Sequence, residues 1–363
     1  MKIYTTCKFG IDIAKNYFNI KNRWIYDKKA IINQINKWQN TIPWIKPFYA
    51  VKSNPLQYLL KDITNHNFKV GLDVASIKEI KTALKYTDIE NTIYTNPHSI
   101  PHECDNLLFN IKVVDSLCEL EILNKNNIKC PILIRTNSYQ NNSLINFDSK
   151  FGATIEEAFE IIKLAKKYNY YVKGISFHIG SGGNYSRKDA YISAYENIKP
   201  LLKYISSYEK KPILNFGGGL LYDTDLNDAL GWTKDLPYEM IAEPGRYFSE
   251  PSHHLAIQVI AKTNRGIFLD NGVYHELNCY HRDHWEMPKL SYILENNNIN
   301  KVTDFTTSTI FGPTCDSYDT INKCDFPTNI EIGDWIILPN MGAYTNAGMV
   351  EFNGIKGASS INN

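Results

Sequence analysis

The sequence predicts an α/β chain: a (β/α)8, TIM-like barrel joined to a C-terminal all-β domain that the N-terminal strand completes. Three observations predict it. Short apolar, β-rich runs alternate with helix-periodic segments from residue 47 onward, the runs number eight, and after about residue 253 strand-like runs continue without long helices between them.

The expected barrel strands are residues 47–51, 70–75, 92–96, 111–115, 132–135, 174–178, 213–216 and 240–243. Between them LQYLLKDITNH, IKEIKTALKY, CELEILNKNN and IEEAFEIIKLAKKYN carry apolar residues at three- and four-residue spacing, as helices with one face on a core do. Eight such units over roughly 200 residues make the barrel pattern. The β domain is expected from HHLAIQVIAKT, GIFLDNGVY, VTDFTTSTIFG and GDWIILPN, with IYTTCKF and RWIYD of the first 28 residues extended and pairing with them. The expected divisions are 1–28 with the β domain, 29–252 as the barrel and 253–363 as the β domain.

Composition narrows the function. The 363 residues carry 39 basic and 38 acidic side chains, a net charge of +1, so no field of either sign favours nucleic acid or an anionic membrane. A small-molecule partner is the expectation. Seven cysteines, at 7, 104, 118, 130, 279, 315 and 324, form no CxxC pair and suit neither a disulfide framework nor a metal site. With no uninterrupted apolar N-terminal run and no stretch of ~20 apolar residues, a soluble cytoplasmic protein in a reducing compartment is expected.

Barrel enzymes place their chemistry at the C-terminal ends of the strands. There the sequence sets Lys52, Asp73, Arg135, His178, the run Gly217, Gly218, Gly219, then Glu243 and Arg246. A triple-glycine turn is either a tight connection or a place where backbone N–H groups approach a phosphate; its position after strand seven, with Arg246 after strand eight, favours the phosphate. Lys52 beside a buried strand end is either an ion-pair partner of Asp73 or an amine made nucleophilic by burial, fit to form a Schiff base. Glu243 suits the ring nitrogen of pyridoxal 5'-phosphate, and His178 is either a core histidine or lies against the ring.

Together these segments resemble the eukaryotic-type ornithine decarboxylases, of the alanine-racemase-like, fold-type III group of pyridoxal-phosphate enzymes. The resemblance rests on PFYAVKSN (47–54), LDVAS (72–76), SFHIGSG (176–182), FGGGL (216–220), AEPGRYF (242–248), GPTCDSYD (312–319), GDW (333–335), MGAYT (341–345) and FNG (352–354), in that order along nearly the whole chain. It implies pyridoxal 5'-phosphate as cofactor and a head-to-tail homodimer with two shared active sites. Lys52 resembles the Schiff-base lysine, His178 the residue stacked on the ring and Glu243 the partner of the ring nitrogen. Asp73 and Arg135 belong with them, and Ser181, Gly218, Gly219, Arg246 and Tyr344 match the phosphate holders. Cys315 resembles the cysteine that reaches from the neighbouring subunit to protonate Cα; the other reading of it is a buried inert thiol. Asp283, Asp316 and Tyr274 match the substrate side, and Lys150 and Asp319 match positions that pair across the dimer interface.

The implied reaction is decarboxylation of a basic amino acid, ornithine to putrescine, as in polyamine biosynthesis. Lysine, arginine and diaminopimelate are the rival substrates, and a catalytically inactive regulatory homologue is the reading from another class. Two residues depart from the family pattern. NFGGG stands where relatives have DIGGG, which puts Asn215 in the place of an acid, and Arg282 in NCYHRDHWEM occupies a position that is usually aromatic.

Overall fold

The computed structural model describes residues 1–98, 109–139 and 143–361; Cys104 lies outside them. The chain forms two units, Ile32–Phe248 and a second made of Met1–Ile31 with Ser249–Asn363.

The second unit begins with β1 (Lys2–Thr5) and β2 (Trp24–Tyr26). The first unit then supplies eight strands: β3 (Ile45–Ala50), β4 (Gly71–Val74), β5 (Thr92–Tyr94), β6 (Lys112–Val114), β7 (Ile132–Arg135), β8 (Val172–Ser176), β9 (Ile213–Asn215) and β10 (Glu239–Ala242). They close in the order β10-β3-β4-β5-β6-β7-β8-β9, every pair parallel, so the predicted barrel is present. Parallel closure sends all C-terminal ends to one side. A buried apolar cluster of Phe48, Ile93, Ile111, Val113, Leu133, Ile213 and Ile241 comes from the strands or the residues beside them, as side chains of a packed barrel interior do. The four helical segments read from the sequence are helices Gln57–Thr64, Ile77–Ala83, Leu117–Lys125 and Ile155–Lys167. The last opens on a capping box, in which Thr154 accepts from the Glu157 N–H and Glu157 accepts from the Thr154 N–H.

The chain then returns to the second unit with β11 (His253–Thr263), β12 (Gly266–Leu269), β13 (Tyr292–Glu295), β14 (Asn298–Lys301), β15 (Phe305–Phe311), β16 (Thr320–Pro327) and β17 (Trp335–Leu338). The sheet order is β14-β13-β1-β17-β11-β12-β15-β16, with β2 also paired to β11. β1 lies between β13, antiparallel, and β17, parallel, so the N-terminal strand completes this domain.

The stretch IYTTCKF is not extended throughout. Its strand stops at Thr5 and a helix, Lys8–Asn16, starts within it, because Gly10, Ile11, Ile13 and Ala14 recur at helical spacing and bury one face. Ile11, Ile13 and Ala14 join Ile3, Ile25, Ala256, Leu294, Trp335 and Ile337 in the core of this unit. The expected strand 174–178 begins and ends two residues earlier, at Val172 and Ser176. Among the described residues no helix is long and apolar enough to cross a membrane, no group of side chains is arranged to hold a metal, and no cysteine pair forms a disulfide.

Candidate active site

Each side chain expected on the barrel rim stands at or just beyond the C-terminal end of its strand. Lys52 follows β3 in the short turn Val51–Ser53, Asp73 is on β4, Arg135 ends β7, His178 lies two residues past β8 and Glu243 one past β10. They are close enough to set one another's charge. Burial raises the pKa of Asp73, and Lys52, a 2.5 Å hydrogen bond from Thr95 and Arg135 oppose it. Burial, then repulsion from Asp73, pushes Glu243 up to about 7, against the pull of Lys52, Arg135 and an Asn215 hydrogen bond. Burial also works against the Arg135 charge, which Glu243, Asp115, Asp148 and Asp73 favour.

His178 is held neutral, well below its ordinary pKa, by burial and then by Arg135 and Lys52. The Gly180 N–H donates to its Nδ1 at 3.0 Å, which leaves the ring proton on Nε2. Phe147 meets the imidazole edge-on, 4.7 Å between centroids. An uncharged ring fixed in this way can lie against another flat ring without adding a cation to it.

The glycine turn is shaped by its neighbours. Gly217 and Gly219 have φ of 60° and 106°, a region that favours glycine. A Cβ on Gly218 would stand 2.7 Å from His178 Nε2 and 3.1 Å from the Glu243 carbonyl oxygen, so only a bare backbone passes there. The Tyr191 hydroxyl donates to the Gly218 carbonyl at 2.8 Å. Ser181 is joined to Ile145 by backbone bonds of 3.0 and 3.1 Å, and Arg246 opens the helical turn Arg246–Ser249 after β10. A lysine, a buried acid, a neutral imidazole and close-approach backbone fit the aldehyde, ring nitrogen, ring face and phosphate of pyridoxal phosphate.

The second unit carries the remaining candidates. Asp316 is half-buried; it accepts from the Tyr274 hydroxyl and, at 3.0 Å, from the Tyr318 N–H, and these bonds hold its pKa below the ordinary carboxylate value. Tyr274 stacks on Phe352 at 4.4 Å, and Tyr318 on His281 at 4.4 Å. Cys315 is exposed, which removes the reading of a buried inert thiol, and its N–H donates to Asn353 Oδ1 at 3.0 Å. Asp319 is buried: its carboxylate accepts from Val273 N–H at 2.8 Å and from the Thr314 N–H and hydroxyl at 3.0 and 2.8 Å, and so anchors the Cys315 loop to its own unit. Lys150 is exposed on the barrel unit, 4.9 Å above the Phe151 ring.

Asp283 follows the helical turn Cys279–Arg282, and its N–H donates to the Cys279 carbonyl at 2.9 Å. Arg282 is exposed and rests against Gly348, where a Cβ would come within 2.9 Å of its Cζ. Tyr344 holds φ 56°, a left-handed conformation that is strained for a bulky side chain. Thr95, Tyr191 and Phe352 were not among the expected residues. Thr95 follows directly on β5, so the rule that barrel strand ends carry the chemistry points to it as well.

A barrel whose strand ends carry Lys52, Asp73, Arg135, His178 and Glu243 beside a triple-glycine turn suits an enzyme built on a phosphate-bearing carbonyl cofactor. Residues 28–250 match the family described as "Pyridoxal-dependent decarboxylase, pyridoxal binding domain". The chain belongs to this family, and its cofactor is pyridoxal 5'-phosphate. It is 32% identical to a probable ornithine decarboxylase of Dictyostelium discoideum, over 91% of this chain and 77% of that protein. It is 30% identical to the ornithine decarboxylase of Candida albicans, over 92% and 80%. Among solved structures it resembles the Paramecium bursaria Chlorella virus arginine decarboxylase bound to agmatine, with a TM-score of 0.83 and 28% identity over 96% of this chain and 98% of that one.

Proposed function

We propose that the chain decarboxylates a basic amino acid, L-ornithine, to putrescine and CO2, as a cytoplasmic enzyme of polyamine synthesis. The observation that carries the basic substrate is Asp316, a half-buried carboxylate kept ionised by Tyr274 and Tyr318 and thus ready to meet a distal cation. Asp283 would meet the same cation, and Tyr274 would line its path. The ornithine decarboxylases of Dictyostelium discoideum and Candida albicans support ornithine over its homologues. Arginine is the second reading, supported by the likeness to the viral arginine decarboxylase. Arg282 does not argue for a substrate with a distal carboxylate, since its guanidinium packs on Gly348.

Pyridoxal phosphate, when bound, supplies the electron sink for the bond that loses CO2. In this reading Lys52 Nζ would hold the cofactor aldehyde and later release the product amine. Glu243 would keep the ring nitrogen protonated, and Asp73 and Arg135 would set the charge around it. Neutral His178 would cover the ring face, while Ser181, Gly218, Gly219, Arg246 and Tyr344 would hold the phosphate. Cys315 Sγ would deliver the proton to Cα after CO2 departs. The exposure of Cys315 suits a site completed by a second copy of the chain in a head-to-tail dimer, where Lys150 would approach the Asp319 loop of the partner.

The test is amine formation by cofactor-loaded protein given ornithine, lysine, arginine and diaminopimelate separately. Putrescine as the dominant product, abolished in Lys52→Ala and reduced at least ~100-fold in Cys315→Ala, is the expected outcome. Agmatine as the dominant product would replace ornithine by arginine, and no amine from any substrate would overturn the proposal.

A further inference from the structure

We propose that Asn215 is a positioning residue for Glu243: its amide, held one way round by the Gly217 N–H, offers Glu243 only a donor and keeps that buried acid a carboxylate. Asn215 ends β9 and is wholly buried. Its Oδ1 accepts from the Gly217 N–H at 2.9 Å and its Nδ2 donates to Glu243 Oε1 at 2.6 Å. Turned over, the amide would set N–H against N–H and oxygen against carboxylate, so the orientation is fixed by its partners. The Glu243 N–H donates to the Gly217 carbonyl at 2.7 Å, which ties the same acid to the same turn through the main chain. The 2.6 Å contact has the length of a charge-assisted bond, and it requires Oε1 as an acceptor, which the carboxylate always offers and the protonated acid offers only with its proton on Oε2.

The groups around Glu243 pull in both directions. Asp73 on β4 favours its protonated form, as burial does, while Lys52 after β3 and Arg135 on β7 favour its anion. Tyr191, from the helix Arg187–Ile205, also senses Glu243, and Gly218 lies between the neutral His178 ring and the Glu243 carbonyl oxygen. Asn215 counters Asp73 and burial without bringing another charge into the site. An acid at position 215 would instead place two carboxyls within hydrogen-bonding distance, and one would keep a proton. The inference rests on the reading that Glu243 meets the ring nitrogen of the cofactor.

Asn215→Asp tests it, because the variant keeps the acceptor for the Gly217 N–H and nearly the same shape but replaces the fixed donor by a carboxyl that must share a proton with Glu243. The readouts are the absorbance of bound cofactor and its dissociation constant, each followed from about pH 5 to about pH 9. The expected result is an acid-side midpoint raised by at least about one pH unit in Asn215→Asp and by less in Asn215→Ala. In a Glu243→Gln background Asn215→Asp is expected to leave no such shift. Curves of Asn215→Asp that superimpose on the unmodified enzyme would reduce Asn215 to a turn residue and overturn the inference. Should the Asp variant not fold, an unshifted Asn215→Ala curve overturns it equally. Failure of the unmodified chain to bind pyridoxal phosphate would instead overturn the reading of the site.

Discussion

A buried acid carries an electrostatic cost at the barrel mouth. Glu243 has its pKa pushed up to about 7 by burial and by Asp73, so the folded chain takes up a proton there more readily than the unfolded one does. The sign follows from linkage: a raised acid costs stability progressively as pH climbs from its unfolded value toward 7, and the full cost is present above that. Glu243→Gln is therefore expected to raise the stability of the cofactor-free protein at pH 8 by about 1–3 kcal/mol, with the gain vanishing near pH 4. Thermal unfolding at the two pH values checks this. The same variant is expected to bind pyridoxal phosphate at least ~10-fold more weakly, because in the proposed reading the ionised acid meets the cofactor's ring nitrogen. At this scale much was legible in the sequence. Lys52, Asp73, Arg135, His178 and Glu243 are all found by asking which polar residues end a barrel strand. The task given to Asn215 was not legible, because it depends on which way an amide faces, and that is decided by Gly217 and Glu243 together.

The elements show where a pattern of apolar residues is informative and where it is silent. Eight runs and four helices were readable because period and length agree. The hairpin of β13 and β14 was passed over, although Asn296 and Asn297 have φ of 49° and 64° and form the two-residue turn that such an Asn pair favours. Its strands are too polar and too short for alternation to stand out. Lys112 is the other surprise: a charge at the start of β6, wholly buried, 2.9 Å from Glu119 of the helix Leu117–Lys125 and 2.9 Å from the Asn96 carbonyl. Its ammonium also lies 4.8 Å over the Tyr94 ring. The pair fastens a strand to the helix that follows it, and the cost of desolvating both charges makes it stabilising only while intact. Lys112→Ala is expected to cost about 3–5 kcal/mol in urea unfolding, whereas Lys112→Met with Glu119→Leu is expected to fall within about 1 kcal/mol of the parent or above it.

For the whole molecule, the proposed assembly makes a quantitative prediction. If each site takes Lys52 from one copy and Cys315 from another, Lys52→Ala alone is inactive and Cys315→Ala alone retains at most ~1% of the parent activity. An equal mixture of the two, allowed to exchange subunits, then recovers about a quarter of the parent activity, because half of the dimers hold one intact site of two. A mixture that stays inactive while native mass spectrometry shows the mixed dimer would place both residues in one subunit's site. The molecule's connectivity bears on its synthesis as well. β1 pairs with β13 and β17, and the Lys2 N–H reaches Asp334, 332 residues away. On a ribosome β1 therefore waits for β13 and β17, with Ile3 and Tyr4 without these neighbours until all eight barrel strands have been translated. The barrel, whose strands all lie between, can close in the meantime.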